Sequence, residues 1–306
     1  MRYLQIMRPS NWMKNVFVFA ALIFGQRLSG PAGEVFFAIA AAVACFFCFS
    51  VASSAAYIFN DITDRRTDRL HPQKRLRPIV AGTVTVGSAA VLAVLCGAGA
   101  ILGSFVIDPG FGRIIVAYLV LMVLYSLFLK RVMILDCVVI SIGFCLRAVA
   151  GAVVINVGIS PWLIICTFAL CLFLAFGKRR SEIAQLGENS EVFRATLGGY
   201  TPELLAHMLD VTSGLAIVCF LLYATDERTV GIFSDRLIYT TPVVLYCVFR
   251  FSALMQTGRF SGPVQLILHD LPFQIGLVLW VALCIVIIYA HKLGIEWAGI
   301  LSYYSN

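Results

Sequence analysis

Asn60-Asp61-Ile62-Thr63-Asp64-Arg65-Arg66-Thr67-Asp68 sets three carboxylates and a carboxamide at the point where a long apolar run ends. The residues just before it, Val35 to Phe59, carry no charge at all. On a helix, positions 60, 64 and 68 are successive i+4 neighbours and 61, 64 and 68 are i+3 and i+4 neighbours, so their oxygens form one stripe. Hard oxygen ligands suit Mg²⁺, which is usually held by one or two carboxylates plus substrate phosphates. Asn60, Asp61, Asp64 and Asp68 are therefore the expected metal set. A carboxylate at the bilayer centre costs roughly 2.5–3.5 kcal/mol on insertion scales, which makes such a cluster functional by default. The competing reading is a solvated turn capped by Asp and Asn.

Cations follow the acids directly. The chain continues through Arg69-Leu70-His71-Pro72-Gln73-Lys74-Arg75-Leu76-Arg77-Pro78, placing bases beside the carboxylates. Arg offers phosphate a bidentate fork and Lys a point charge. A second polar set, Lys178-Arg179-Arg180-Ser181-Glu182, ends another apolar run, with Lys178 at i+4 and Arg179 at i+3 to Glu182. The polar stretch after it, with Arg194 and Tyr200, could close over a site. The N-terminal segment contributes Arg8-Pro9-Ser10-Asn11-Trp12-Met13-Lys14-Asn15, and Lys130-Arg131 adds a further basic pair. Lys14, Lys74, Arg77, Lys178 and Arg179 are the residues expected to contact substrate phosphates, and Asn15, Asn60, Lys130 and Tyr200 are also expected to bind substrate. Arg147 lies about ten residues inside an apolar span, where a charge needs a partner. Packing against Asp210 is the favoured expectation for it, and binding of an acceptor phosphate the other. Asp136 is expected to brace Lys130 and Arg131.

These groups need a scaffold, and composition defines it. Of 306 residues 60% are hydrophobic and only 13% charged, about half the charge of a soluble domain. The chain is expected to be an all-α, polytopic membrane bundle forming one transmembrane domain over 1–306. Apolar runs broken by Pro, Gly and charge give nine spans, at about 15–29, 34–59, 84–107, 112–129, 132–156, 161–177, 204–224, 238–257 and 272–290. The first is the weakest: Val16–Gly25 is short and its basic lead resembles a signal peptide, but no small-x-small cleavage site follows. With the N-terminus inside, 17 Lys/Arg face the cytoplasm and five the other side, Arg147 lying within a span. The positive-inside rule thus places the N-terminus and the loops at 60–83 and 178–203, which carry the expected active site, on the cytoplasmic side. The net charge of +7 reflects this bias, and the basic residues sit in short juxtamembrane loops where lipid head groups are their alternative partners. Nucleic acid is not an expected partner. The ten cysteines scatter through apolar spans, and Cys45-Phe46-Phe47-Cys48 has no second ligand pair, so neither a zinc site nor a disulfide framework is supported. His207 and His269 read as interfacial, and only His71 lies beside the acidic stripe.

Asn60-Asp61-x-x-Asp64-x-x-x-Asp68, followed by His71-Pro72-x-Lys74-x-x-Arg77-Pro78, resembles the first signature of the UbiA superfamily of intramembrane prenyltransferases, and the resemblance covers nearly the whole chain. It implies nine helices, a polar cytoplasmic cap, an apolar tunnel open to lipid, and a first signature that holds Mg²⁺ and a diphosphate. Trimers are also suggested by the resemblance, though no periodicity points to them. The second signature departs from the usual acidic pair: Lys178-Arg179-Arg180-Ser181-Glu182 offers one acid among three bases. Together with Arg8-Pro9-x-x-Trp12-x-Lys14-Asn15 and Phe144-Cys145-Leu146-Arg147-Ala148-Val149-Ala150-Gly151, this is similar to the decaprenyl-phosphate 5-phosphoribosyltransferase branch. In that branch the donor is phosphoribosyl pyrophosphate, the acceptor is a polyprenyl phosphate, and the setting is cell-wall arabinan or glycolipid precursor synthesis in a bacterial cytoplasmic membrane. Glu182 and Tyr200 would then orient ribose hydroxyls or a metal-bound water. An ordinary prenyltransferase acting on an aromatic acceptor is the alternative. A secondary transporter is the reading from another class, but no repeat of 60–78 occurs in the second half.

Overall fold

The computed structural model describes residues 2–70, 72–186, 195–233 and 235–289, and they form helices with no strand among them. Eight segments within those residues are long and apolar enough to cross a membrane. We label the helices α1 (Arg2–Met7), α2 (Ala20–Phe24), α3 (Ala32–Thr63), α4 (Arg65–Asp68), α5 (Val86–Ile107), α6 (Pro109–Leu127), α7 (Leu135–Val154), α8 (Pro161–Leu186), α9 (Pro202–Thr225), α10 (Glu227–Phe233), α11 (Thr241–Gln256), α12 (Pro263–His269) and α13 (Leu271–Tyr289). The long crossings are α3, α5 to α9, α11 with its 3₁₀ lead at 235–240, and α13. Most begin with a polar cap or a proline. Thr85, Asp108 and Thr201 accept backbone N–H groups at the starts of α5, α6 and α9, satisfying donors that the first turn leaves free.

The first expected span differs from a long α-helix. It is a 3₁₀ helix, Pro9–Phe19, running into the short α2. At about 2.0 Å per residue for 3₁₀ and 1.5 Å for α, these 16 residues reach roughly 30 Å, the thickness of a hydrocarbon core. The short apolar run therefore crosses the bundle after all, from Arg8 beside Asp61 at one end to Arg27 at the other. There Arg27 donates to the Asn156 carbonyl at 3.0 Å and Gln26 donates to the Ile288 carbonyl at 3.2 Å. Three residues per turn also stack positions i and i+3, which aligns Trp12, Asn15, Val18 and Ala21 on one edge. Asn15, Val18 and Ala21 are all buried. Val18 lies so close to α7 that a Cβ on Gly151 would overlap the Val18 carbonyl.

Two packed groups of helices meet around this crossing. Phe49, Phe111, Ile115, Tyr118 and Ala150 bury one core between α3, α6 and α7. Phe173, Phe176, Leu205, Leu209, Phe251 and Phe273 bury the other between α8, α9, α11 and α13. α3 and α8 are longer than a bilayer core needs. Their 32 and 26 residues span about 48 and 39 Å. The surplus turns carry Asn60 and Asp61 on α3 and Lys178 to Glu182 on α8. The second polar set thus belongs to the end of a helix and not to a loop beginning at 178.

Arg147 does not meet Asp210, which is exposed on α9. It donates instead to Asn15 Oδ1 at 2.6 Å, the Gly143 carbonyl at 2.6 Å and the Tyr118 hydroxyl at 3.0 Å. The rings of Tyr118, Phe144 and Phe49 surround its guanidinium. Asn15 in turn donates to Ser50 at 3.0 Å. Neutral dipoles and ring faces do here what a carboxylate was expected to do, tying the first crossing to α3, α6 and α7. Arg147→Ala should therefore destabilise the protein by about 2–4 kcal/mol, because it leaves buried acceptors unpaired. Thermal unfolding in detergent checks this, and Asp210→Ala should leave the midpoint unchanged.

Candidate active site

The acids of the first set come together, but in two pairs. α3 ends at Thr63 and α4 starts at Arg65, yet the i+4 backbone bonds continue through Asp64. Asn60 donates to Asp64 at 3.1 Å, and Lys130 donates to both Asn60 Oδ1 at 3.0 Å and Asp64 Oδ1 at 2.5 Å. Two oxygens one turn apart thus converge on a single cation. On the neighbouring face, Arg77 Nη1 lies 3.0 Å from Asp61 Oδ1 and also bonds Asp68. Arg8 bonds Asp61, and Lys74 Nζ stands 3.7 Å from Asp68 Oδ1. Asp61 and Asp68 are 2% and 3% exposed, so each carboxylate needs this compensation. Burial, and then the Arg8 charge, draw the Arg77 guanidinium below its usual pKa, opposed by Asp61 and Asp68. Among the described residues no three acidic, His or Cys side chains gather closely enough to hold a metal by themselves. The expected single four-ligand stripe is in fact two oxygen pairs, each facing cations that come from other segments.

A second cluster adjoins through residues 129–136. Arg179, 1% exposed, donates its Nε to Asp136 Oδ2 at 3.0 Å and its Nη1 to Glu182. Lys178 Nζ lies 3.6 Å from the other Glu182 oxygen. Asp136 is fully buried and bonds Arg179 and Tyr200, and among the described residues no ion pair joins it to Lys130 or Arg131, which it was expected to brace. The Tyr200 hydroxyl donates to Asp136 Oδ1 at 3.1 Å and accepts the Ile134 N–H at 2.7 Å. Burial, and then the nearby Cys137 and Asp136, push the Tyr200 phenol above its usual pKa, so it remains a donor. Ile134 sits at φ 69°, a costly conformation for a β-branched residue that survives only where its surroundings enforce it. The relay Glu182–Arg179–Asp136–Tyr200–Ile134 therefore fixes the turn whose preceding residues deliver Lys130 to Asp64.

Of the expected site residues, Asn60, Asp61, Asp64, Asp68, Lys74, Arg77 and Lys130 share one cluster, and Lys178, Arg179, Glu182 and Tyr200 share the adjoining one. Arg179 and Tyr200 are buried in holding Asp136, so they position neighbours. Asn15 is 0% exposed and accepts from Arg147 within the bundle. Lys14 lies deeper, its Nζ 5.7 Å from the centre of the Tyr57 ring. His71 and Arg194 fall outside the described residues. Three groups were not in the expected set: Arg8, Tyr57 and the Asp136 relay. Tyr57 precedes Asp61 by four residues, so helical spacing already placed it one turn away. The Arg8–Asp61 pair joins residues 53 apart and needs the fold to show it.

Tyr200→Phe removes the only hydroxyl bonded to the Ile134 amide among the described residues. Hydrogen–deuterium exchange over residues 129–136 should then quicken about tenfold, the loss expected for one hydrogen bond of this kind.

Residues 15–249 match the UbiA prenyltransferase family. A decaprenyl-phosphate phosphoribosyltransferase of Mycobacterium tuberculosis is 30% identical over 278 residues, covering 90% of this chain and 90% of that protein. Its namesake in Corynebacterium glutamicum is 31% identical over 297 residues, covering 94% and 86%. In three dimensions the chain is similar to a UbiA homologue from Archaeoglobus fulgidus bound to DMAPP and Mg²⁺, with TM-score 0.69, 18% identity and coverage of 94% and 99%. An embedded helical bundle, this signature of acids and the family match agree: the chain is an integral membrane enzyme and belongs to the UbiA prenyltransferase family.

Proposed function

We propose that this enzyme transfers the 5-phosphoribosyl group of phosphoribosyl pyrophosphate to a polyprenyl phosphate such as decaprenyl phosphate, releasing pyrophosphate, with Mg²⁺ as cofactor. The observation that carries the reading is the second cluster. Among its described residues it presents one partly exposed carboxylate, Glu182, with Lys178 beside it and Arg179 behind it, while its other acid, Asp136, is buried against Arg179 and Tyr200. Two metals held by two acidic sets are hard to build from that, whereas a substrate pair carrying four phosphates between them calls for cations. The names of the relatives at 30–31% identity support the same donor and acceptor.

The residues fit a magnesium ion. Asn60 Oδ1 and Asp64 Oδ1 already point at one cation, and Asp61 and Asp68 point at another. Hard oxygens in pairs, completed by phosphate oxygens, are what Mg²⁺ takes. Once bound, the ion would neutralise charge that builds on the departing pyrophosphate. The protein's own part is an exchange of partners. Carboxylates now paired with Lys130 and Arg77 would hold the ion, and those cations, with Lys74 and Lys178, would then be available to phosphate oxygens. Cations held 2.5–3.0 Å from fixed acids need little rearrangement to do so. An oxygen of the acceptor phosphate forms the new bond to C1 of ribose as the C1–O bond to pyrophosphate breaks, and pyrophosphate leaves with the bonding pair. The nucleophile is already an anion, so no proton has to be removed. Glu182, half-buried and gripped by Arg179, is the acceptor available to ribose hydroxyls.

We place this site on the cytoplasmic side of a bacterial membrane, with the N-terminus inside, because the first crossing and the loops bearing most of the Lys/Arg meet at the Asp61 end. Such a product would serve arabinan or glycolipid precursor synthesis. Purified protein given labelled phosphoribosyl pyrophosphate, a polyprenyl phosphate and Mg²⁺ should form a labelled lipid, and chelator should abolish it. Label moving from a prenyl diphosphate to an aromatic acceptor, and none from phosphoribosyl pyrophosphate, would overturn the assignment in favour of ordinary prenyl transfer. Asp64→Ala and Asp68→Ala should each lower turnover by on the order of 10²–10³ while the protein still inserts and purifies as a single species.

A further inference from the structure

We propose that Lys14 marks a second anion subsite, one turn deeper into the membrane than Asp61, built for the phosphate monoester head group of a lipid. The inference deepens the function proposed above by separating acceptor from donor. It rests on that reading only in identifying the lipid as the acceptor.

Charge balance along the inner face of α3 is the argument. At the level of Asp61 the buried carboxylates are paired with cations: Arg8 and Arg77 meet Asp61, and Arg77 and Lys74 meet Asp68. One turn deeper the compensation stops. Lys14 and Arg8 share the Tyr57 ring, 5.7 and 5.3 Å from its centre. Arg8 is held by Asp61, but Lys14 has no carboxylate and no hydrogen-bond acceptor among the described residues. The charges that bear on it are those of Arg147 and Arg8, both positive. Arg147 is satisfied by neutral groups alone, the Asn15 amide, the Gly143 carbonyl and the Tyr118 hydroxyl, so its charge is also left over. Ring faces offset part of the cost of two such cations. Uncompensated charge within a membrane-spanning bundle otherwise marks a ligand site.

The neutral side-chain donors of Trp12, Asn15 and the α3 serines are already used. Trp12 Nε1 donates to Ser54 at 3.0 Å, and Ser54 donates to the Met7 and Ser50 carbonyls. Asn15 donates to Ser50 and Ser53. That leaves the Lys14 ammonium with spare donors aimed into the bundle. A phosphate monoester carries about −1.5 to −2 charge near neutral pH, which matches the two surplus positive charges. A diphosphate with its metal belongs at the Asp61 level, where the carboxylates are. The deeper position suits a head group whose chain lies in hydrocarbon. A compact ammonium, with three donors on a flexible stem, can follow the phosphate as it moves toward the donor.

The test is direct binding to detergent-purified protein, using farnesyl phosphate, farnesol and inorganic phosphate as probes, with phosphoribosyl pyrophosphate plus Mg²⁺ measured alongside. Lys14→Gln should weaken farnesyl phosphate roughly tenfold to a hundredfold, the effect of losing a charge-assisted bond. Farnesol and the Mg²⁺-bound donor should be unchanged within about twofold. Lys14→Arg, which keeps the charge, should recover most of the lost affinity and guards against misfolding as the cause. The subsite is overturned if Lys14→Gln leaves farnesyl phosphate binding intact, or weakens the donor equally. Inorganic phosphate binding as tightly as farnesyl phosphate overturns the lipid assignment. The two readings fail separately. Lys14-dependent binding of farnesyl phosphate without ribosyl transfer sinks the proposed reaction and spares the subsite, whereas transfer with a silent Lys14→Gln does the reverse.

Discussion

Opposite charges from segments far apart in the chain hold one end of this bundle together. A carboxylate near the membrane boundary is stable only if something neutralises it. Here each compensating cation comes from a different stretch: Arg8 lies 53 residues from Asp61, Lys130 lies 66 from Asp64, and Arg179 lies 43 from Asp136. Electrostatic need thus gathers the N-terminal segment, the turn after α3, the turn after α6 and the end of α8 at one level. In the proposed function, Asp61, Asp64, Asp68 and Lys130 would also engage the metal and the pyrophosphate, whereas Arg179 and Asp136 only position their neighbours.

The two most buried arginines show how differently a charge can be accommodated. Arg179 is held by carboxylates, and removing one would leave its partner uncompensated in a dry environment, a loss of about 3–5 kcal/mol in comparable cases. Arg147 is held by an amide, a carbonyl, a phenol and three ring faces. The first arrangement cancels charge and makes a rigid brace for Glu182 and the Ile134 turn. The second satisfies hydrogen bonds and leaves the field of a positive charge projecting along α3. Position within the bundle, and not residue type, separates the brace from the field.

The long crossings were legible because hydropathy acts locally. Their ends fell within a few residues of expectation except at α8, where Lys178–Glu182 read as loop but continues the helix, since Arg179 finds Asp136 and stays buried. The first crossing was the least legible. A count of apolar residues underestimates a segment wound at two ångströms per residue. In the site, the spacing of Asn60, Asp61, Asp64 and Asp68 announced oxygen chemistry, and their neighbourhood in space followed. What spacing does not reveal is pairing between segments, so the split of the acids into two pairs and the Asp136 relay appear only with the fold. The expected Arg147–Asp210 pair failed for a related reason: complementary charge was sought where uncharged dipoles on adjacent helices were already closer.

The winding of the first crossing carries a consequence of its own. With a period of three, neighbouring positions face directions about 120° apart, so Asn15 and Lys14 address different surroundings though they are consecutive: one the interhelical seam, the other the interior beside Tyr57. An integer period makes this division strict over the whole segment. Gain of a single residue between Pro9 and Lys14 would bring the ammonium into the serine-lined seam, and loss of one there would bring the Asn15 amide to the interior. Substitutions can accumulate in this segment far more freely than changes in its length.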